Sequence, residues 1–220
     1  MSDLDATVDV DATDDARGVR HLGHRAFVGG DGEFWDRVGE LQFRYLVEHG
    51  LRPTDVLLDL ACGSLRGGVR FIPYLERGHY LGFDRSIDLI ILGVARELGA
   101  DVFERQAPEF IVNGRFDLAG FTRPPDFILA QSLFTHLSAD DSTRALAAVA
   151  SIAPPHAQFF LTFFPGDARE KNPAASHSRL VFFYTMDEMR RFGAASGWTL
   201  EHLGDWGHPR GQEMIRFTRR

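Results

Sequence analysis

Hydrophobic positions along the chain alternate between helical and strand-like spacing. Residues 33–49 place apolar side chains at helical spacing along one stripe, and Gly50 then ends the predicted helix. Residues 56–61 form an apolar run interrupted by one acid, which is typical of a strand covered on both faces of a parallel sheet. Four further strands are predicted at residues 80–84, 109–113, 126–130 and 158–164.

Capping residues mark the helices between these strands. Ser86 is predicted to cap a helix that runs to about residue 98, and capping boxes begin at Ser138 and Thr185. Two last strands, at residues 198–203 and 213–218, have no helix between them and are expected to be antiparallel to each other. The pattern predicts an α/β fold: a Rossmann-like doubly wound sheet of seven strands, mostly parallel, with an antiparallel last strand and helices on both faces.

Length and charge divide the chain into a tail and one domain. Of the 220 residues, 1–17 are rich in Asp, Ala, Thr and Val and are expected to be a disordered acidic tail. Residues 18–220 suit a single domain, with residues 18–50 as an N-terminal helical lid segment. Six Asp lie in residues 1–16, so the formal net charge of −7 leaves only −1 for the rest.

This composition excludes several classes of function. The near-neutral domain lacks the basic surface of a nucleic-acid-binding protein. No apolar stretch is long enough to span a membrane, and the N-terminus lacks the features of a secretory signal. The single cysteine, Cys62, excludes an intramolecular disulfide, so a reducing cytoplasm is the simplest location. No metal-binding pattern is present, and none is expected to be needed.

A glycine-rich turn after the first strand is the main candidate binding site. Residues 59–68 are Asp-Leu-Ala-Cys-Gly-Ser-Leu-Arg-Gly-Gly, and Asp84 ends the second strand. In open α/β sheets, ligands bind beyond the carboxyl ends of the strands, where an acid accepts hydrogen bonds from ribose hydroxyls. The turn lacks the three glycines of a dinucleotide site, which favours a nucleoside ligand without phosphates over a nicotinamide cofactor.

The turn resembles motif I of class I S-adenosylmethionine-dependent methyltransferases, with Ala61 and Leu65 in place of two glycines. The segment Cys-Gly-Ser-Leu-Arg-Gly-Gly resembles a small bacterial subgroup of these enzymes. Residues 80–84 and 126–137 and the closing strand pair extend the resemblance over residues 34–219. It implies S-adenosylmethionine as cofactor and methyl transfer to an oxygen or nitrogen of a small molecule. The alternatives are a non-catalytic S-adenosylmethionine-binding module and, less favoured, a nicotinamide-dependent oxidoreductase.

The resemblance also implies a set of cofactor-binding residues. Asp59 would organise the methionine end of the cofactor, and Asp84 would hold the ribose. Asp117 stands where the family often accepts a hydrogen bond from the adenine amino group, although an acid in a turn is an equal alternative. The remaining members of the predicted set are Ala61, Gly63, Ser64, Arg66, Gln131 and Ser132. For Gln131, a buried and fully hydrogen-bonded glutamine is the alternative.

His136 is the candidate general base, because it lies just past the fourth strand and has a pKa near physiological pH. A structural role for His136 is the competing interpretation. In the loop before the last strand, His208 and Arg210 are candidates for binding an anionic substrate group, the alternative being a surface hairpin around a packed Trp206. Trp35 and Gln42 on the N-terminal helix are candidate lid residues over the substrate, although docking on the sheet alone would explain the apolar stripe of that helix. The loop at residues 165–179, with Lys171, His177 and Arg179, is a second substrate-facing candidate.

Overall fold

The computed structural model describes residues 17–30, 32–167 and 172–219. Its eight strands form one mixed sheet in the order β3-β2-β1-β4-β5-β8-β7, with β6 paired separately to β5. The strands are β1 (Leu57–Leu60), β2 (Tyr80–Asp84), β3 (Glu109–Val112), β4 (Phe127–Ala130), β5 (Gln158–Pro165), β6 (Phe183–Tyr184), β7 (Trp198–Asp205) and β8 (Glu213–Arg219).

Strand direction confirms the predicted architecture. Strands β1 to β5 are parallel, β8 is antiparallel to β5, and β7 is antiparallel to β8. The carboxyl end of β7 therefore lies at the same edge of the sheet as the carboxyl ends of β1, β2 and β4. The eighth strand, β6, was not predicted, because two residues give no readable alternation.

Helices cover both faces of the sheet. They are α1 (His24–Phe27), α2 (Gly32–Glu48), α3 (Gly68–Tyr74), α4 (Ile87–Gly93), α5 (Ala100–Gln106), α6 (Ala139–Ile152) and α7 (Met186–Ala194). Helix α4 continues as a π-helical turn, Val94–Leu98, and α5 was not predicted. Residues 17–22 are also helical, so Arg17 does not belong to an irregular tail. Residues 1–16, which carry the rest of the predicted tail, lie outside the described residues.

Two apolar cores lie on the two faces of the sheet. On one face, α6 and α7 pack over a cluster that contains Phe159, Trp198 and Phe217. On the other face, α2 and α3 pack over a cluster that contains Leu46, Phe71 and Phe160. Burial on both faces explains why β1 and β5 are almost continuously apolar.

Two helical glycines let α2 and α4 press against the turn that follows β1. A Cβ atom on Gly39 would lie 2.4 Å from the Arg66 carbonyl oxygen. A Cβ atom on Gly93 would lie 2.7 Å from the Ser64 carbonyl carbon. Since both neighbours are backbone atoms, no side-chain rotation can relieve these contacts. The position of the turn therefore depends on the absence of side chains at Gly39 and Gly93.

We predict that Gly93→Ala lowers the free energy of unfolding by about 1–3 kcal/mol, the usual cost of overpacking. This loss is expected although alanine favours a helix by about 1 kcal/mol over glycine. Gly120→Ala is the matched control, because its Cβ would meet only the tip of the Ile111 side chain, at 3.2 Å. Urea denaturation of the three proteins measures the difference. A Gly93→Ala protein as stable as the parent would show that the turn has room to move.

Candidate functional site

The turn after β1 contains three residues in the left-handed region. The backbone φ angles are 69° at Ala61, 54° at Gly63 and 63° at Leu65. Ala61 and Leu65, which replace two glycines of motif I, therefore adopt the conformation that favours glycine. The N–H groups of Ala61 and Cys62 both donate to the Phe83 carbonyl oxygen, at 2.7 and 2.9 Å. These bonds attach the turn to the end of β2.

Asp84 fixes the same turn from its side chain. Its carboxylate accepts hydrogen bonds from the Gly63 N–H and the Ser86 N–H, both at 2.8 Å, and the residue is 7% exposed. Ser86 also caps α4, as predicted, because its hydroxyl oxygen accepts from the Leu89 N–H. Two main-chain donors thus hold the Asp84 carboxylate in one orientation at the carboxyl end of β2.

Asp59 is a second buried acid at this edge of the sheet. It is 4% exposed and accepts a hydrogen bond from the Tyr80 hydroxyl at 2.7 Å. Burial, which disfavours the charged form, raises the pKa of Asp59 to about 6, with a smaller upward effect from Asp84. At neutral pH the charged form of Asp59 therefore costs folding free energy. A nearby positive charge would reduce that cost.

A cavity of about 670 Å³ opens at the carboxyl ends of the strands. The segment that precedes α2 covers it, since Phe27, Val28 and Gly29 line one wall. Eleven of the predicted site residues also line it: Asp59, Ala61, Gly63, Ser64, Arg66, Asp84, Gln131, Ser132, His136, His208 and Arg210. His177 and Arg179 line it too, whereas Lys171 lies outside the described residues.

Two predicted site residues, Trp35 and Asp117, do not line this cavity. Trp35 is 1% exposed, and the Arg25 guanidinium lies 4.3 Å from its ring centroid. Asp117 is exposed in a turn, where its carboxylate accepts from the Ala119 N–H at 3.3 Å. The structure thus buries Trp35 against Arg25 outside the cavity and places Asp117 in the turn-forming role.

Asn113 and Phe116 line the cavity where Asp117 was expected. The Phe116 ring stacks on the Phe83 ring with centroids 5.6 Å apart, which places an aromatic wall near the end of β2. Asn113 directly follows β3, just as Asp84 ends β2. A polar residue at the end of a strand was therefore the sequence signal that could have identified Asn113 as a cavity residue. A polar residue directly past a strand end is a better guide to the cavity than one four residues later.

Arg66 is a buried cation without a carboxylate partner among the described residues. Its guanidinium donates to the Val28 carbonyl oxygen at 3.1 Å and, through Nη2, to the Gln131 side-chain oxygen, and the residue is 9% exposed. Its Nε has no acceptor in the described part of the chain. Burial, and then Arg210, lower the pKa of Arg66 to about 10. It remains charged at neutral pH and is suited to bind an anionic oxygen.

A network of side-chain amides and hydroxyls lies beneath the cavity. Gln42 of α2 donates to the Gln131 oxygen at 3.2 Å, and Gln131 donates to the Ser132 hydroxyl at 2.6 Å. The Gln212 oxygen accepts from the Thr162 hydroxyl at 2.7 Å, and its amide donates to the Ser132 hydroxyl, also at 2.7 Å. Gln131 is therefore a buried, hydrogen-bonded glutamine that also lines the cavity. Gln42, a predicted lid residue, lines the cavity, whereas Gln212, which also lines it, was not predicted.

Two histidines occupy the far half of the cavity. His136 is half-buried, and its Nδ1 donates to the Leu180 carbonyl oxygen at 2.8 Å, which leaves Nε2 as the acceptor nitrogen. Burial lowers the pKa of His136, with further lowering by His177 and Arg210. His208 is 6% exposed, stacks on Trp206 and has its pKa lowered by burial to about 4. Both rings are therefore neutral at neutral pH.

Arg210 joins the β7–β8 loop to the lid. Its Nη2 donates to the Gly29 carbonyl oxygen at 2.5 Å, and its guanidinium carbon lies 4.6 Å from the Phe34 ring centroid. Its backbone N–H donates to His208 Nδ1 at 3.3 Å. The loop therefore covers the cavity, as the direction of β7 predicts.

Other kinds of site are not found in the part of the chain that the structure describes. Residues 17–30, 32–167 and 172–219 contain no group of three or more His, Cys, Asp or Glu placed to hold a metal ion. Within the same ranges, no helix has the length and apolar character needed to cross a bilayer.

The fold is similar to that of solved methyltransferases. Magnesium protoporphyrin IX methyltransferase from Synechocystis PCC 6803, solved with bound S-adenosyl-L-homocysteine (SAH), is 16% identical to this chain with a TM-score of 0.68. The match covers 94% of this chain and 97% of that chain. A glycopeptide N-methyltransferase complexed with S-adenosyl-L-methionine is 14% identical with a TM-score of 0.64, over 83% and 94%. Human N-acetylserotonin methyltransferase is 12% identical with a TM-score of 0.60, over 94% and 65%. The sequence matches no established protein-family model. At these identities the likeness shows the Rossmann-like methyltransferase fold.

We predict that Asp59→Asn stabilises the ligand-free protein at pH 7.5 and has less effect as the pH falls. The raised pKa of Asp59 means that its favourable contribution is complete below about pH 4 and is lost as the pH rises through about 6. Asparagine avoids that loss and still accepts from Tyr80, so about 2 kcal/mol of extra stability is expected at pH 7.5. Thermal melts at pH 5 and 7.5 measure the effect. An equal Tm difference at both values would contradict the assignment.

Proposed function

We propose that this protein transfers a methyl group from S-adenosylmethionine to an oxygen or nitrogen of a small-molecule acceptor. The observation that carries the proposal is the Asp84 carboxylate, which the Gly63 and Ser86 N–H groups hold in the cavity at the end of β2. A carboxylate at this position is suited to accept the paired hydroxyls of a ribose. The similar methyltransferase folds, solved with S-adenosylmethionine or SAH, support the same ligand.

The lining residues fit such a cofactor along its length. Asp84 would bind the ribose, with Phe116 and Asn113 toward the base. The backbone of Ala61, Gly63 and Ser64 would lie along the thioether chain. Asp59 is a buried acid whose charge is better tolerated beside a positive charge, which an α-ammonium or a sulfonium provides. Among the described residues, the hydrogen-bond partners of Arg66 are the neutral groups of Val28 and Gln131, so its guanidinium would bind the α-carboxylate.

The chemical step is simple for the protein. The cofactor supplies an activated methyl group on a sulfonium leaving group. The acceptor lone pair forms the new bond to that carbon as the bond to sulfur breaks, and the electron pair stays on sulfur. The chain must hold the acceptor in line, exclude water and, for an acceptor that carries a proton, remove it. Gln131 and Ser132 follow β4 at its carboxyl end and would lie beside the reacting methyl group of a bound cofactor.

We further propose that the protein belongs to the bacterial subgroup of these methyltransferases that has Cys-Gly-Ser-Leu-Arg-Gly-Gly in motif I. We also propose that it is a cytoplasmic enzyme. Its support is the match of residues 62–68 and the single cysteine. A nucleic-acid acceptor is disfavoured by the near-neutral charge of residues 17–220. The competing functions are a non-catalytic S-adenosylmethionine-binding module, which would bind cofactor without turnover, and a nicotinamide-dependent oxidoreductase.

The proposal predicts that SAH binds with micromolar affinity, about −8 kcal/mol, and that Asp84→Ala weakens it at least tenfold. A hydrogen bond to a charged group contributes about 1.5–3 kcal/mol, which gives that factor. Asp126→Ala is the matched control, because Asp126 also accepts a main-chain N–H, from Val56, but precedes β4 at the opposite edge of the sheet. Isothermal titration calorimetry measures all three affinities. Binding of NAD(H) without binding of SAH would instead favour the oxidoreductase.

His136 is proposed as the general base. Its Nδ1–H bond to the Leu180 carbonyl oxygen fixes the tautomer in which Nε2 accepts a proton. The lowered pKa keeps the ring neutral at physiological pH. A base in this state is ready to accept a proton but holds it weakly, which suits an acceptor whose proton is already acidic.

We expect His136→Ala to lower kcat by about 10²–10⁴-fold without weakening SAH binding. The parent rate should rise with pH through the pKa of His136, since only the neutral imidazole accepts a proton. That pKa is lowered by burial, His177 and Arg210, so the rise should lie below pH 6.5. Steady-state kinetics with an acceptor, and calorimetry with SAH, separate the two effects. A variant that loses SAH binding and thermal stability, with an unchanged pH profile, would show that His136 is structural.

A further inference from the structure

We infer that the acceptor of the proposed methyl transfer carries a carboxylate on an apolar, planar body, and that Arg210 binds this carboxylate. The inference rests on the proposed function, because it concerns the acceptor half of the same cavity. It specifies a class of substrate that methyl transfer alone does not define.

The charge of the cavity wall changes between its two halves. The buried acids Asp59 and Asp84 lie in the half formed by the ends of β1 and β2, where Arg66 and Arg85 also line the wall. The far half contains three arginines and three histidines on the segments that follow β4, β5 and β7, namely Arg144, Arg179, Arg210, His136, His177 and His208. Among the described lining residues of that half, Asp141 is the single carboxylate.

The carboxylate of Asp141 is already paired with other side chains and does not neutralise the charge of Arg210. It forms an ion pair with Arg144 at 2.5 Å and accepts a hydrogen bond from the Ser176 hydroxyl. No ion pair to Arg210 or Arg179 is found in the part of the chain that the structure describes. The far half therefore carries uncompensated positive charge, which attracts an anion and repels a protonated amine.

Among these cations, Arg210 is the best placed to bind the carboxylate of the acceptor. Its guanidinium donates to the neutral carbonyl of Gly29 and lies over the Phe34 ring, so it is held in place without loss of charge. The positive charge of Arg210 lowers the pKa values of Arg66, His136 and His208. An anion bound at Arg210 would thus lie close to both the cofactor end and the proposed base.

The surroundings of Arg210 indicate an apolar, planar body for the acceptor. Phe34 meets His208 edge to face with centroids 6.4 Å apart, and the neutral His208 ring stacks on Trp206. Phe164 and Val181 add apolar surface on the facing wall. Aromatic and aliphatic walls with one cation at the side are suited to a planar acid.

Arg66 separates this subsite from that of the cofactor carboxylate. It is buried at the cofactor end and is hydrogen-bonded to Gln131, whereas Arg210 is exposed and reaches the cavity from the β7–β8 loop. Two carboxylates, one from each substrate, would therefore meet two different guanidinium groups. A merely structural Arg210 would fasten the loop to the lid and show no preference among acceptor analogues.

The test uses protein saturated with SAH and two probes of the same shape, 1-naphthoate and 1-naphthamide. Calorimetry should show that the parent binds the carboxylate about fivefold or more tightly than the amide, since the ion pair forms in a partly exposed site. In Arg210→Gln the ratio should fall to about one. Arg190→Gln is the matched control, because Arg190 is paired with Asp187 on α7 and does not line the cavity.

A second measurement covers the case in which Arg210→Gln does not fold. In the parent, the preference for naphthoate should shrink as salt is raised from 0.05 to about 0.5 M, because an exposed ion pair is screened. Equal affinities for the two probes, no binding of either, or a preference that survives Arg210→Gln would overturn the inference while leaving SAH binding intact. Failure of the parent to bind SAH would instead overturn the proposed function.

Discussion

The site depends on the hydrogen bond that the Gly63 N–H donates to the Asp84 carboxylate. This bond joins the turns that follow β1 and β2, and it holds the first turn in a conformation that places Ala61 and Leu65 in the left-handed region. A bond to a charged acceptor contributes about 1.5–3 kcal/mol, similar to the cost of about 1–3 kcal/mol for such backbone strain. Because α2 and α4 touch the same turn through glycines, a shift of Asp84 would be transmitted to both helices.

The amide network under the cavity extends this dependence to the lid. Arg66 donates to both the Val28 carbonyl oxygen and the Gln131 side-chain oxygen. Gln42 of α2 donates to that same Gln131 oxygen. Buried polar groups are costly when only partly satisfied, so such a network favours one arrangement of the lid over α2 and the end of β4.

The sheet and its order of elements could be predicted because burial on both faces makes β1 and β5 almost continuously apolar. The acids that end strands, such as Asp84, could be predicted for the same reason, since a charge after such a run marks the sheet edge. Contacts between residues far apart in the sequence could not be predicted: Gln42 and Gln131, which hydrogen-bond each other, are 89 positions apart, and Gln131 and Gln212 are 81 apart. Asp117 came from the resemblance, with a turn acid as an equal alternative, whereas the signal in the sequence itself was Asn113, the polar residue directly after β3.

The distribution of charge in the cavity suits the direction of the proposed reaction. In the proposed reaction, Asp59 and Asp84 at one end would stabilise a cationic methyl donor, and transfer would remove the sulfonium charge while the α-ammonium stays. The product would therefore lose part of its favourable interaction with the buried Asp59 carboxylate, whose raised pKa shows that its charge is poorly compensated in the protein alone. This loss weakens product binding relative to donor binding. At the other end, the positive charge of Arg210 disfavours a cationic acceptor and the imidazolium form of His136, so the proton must pass on to solvent before the next turnover.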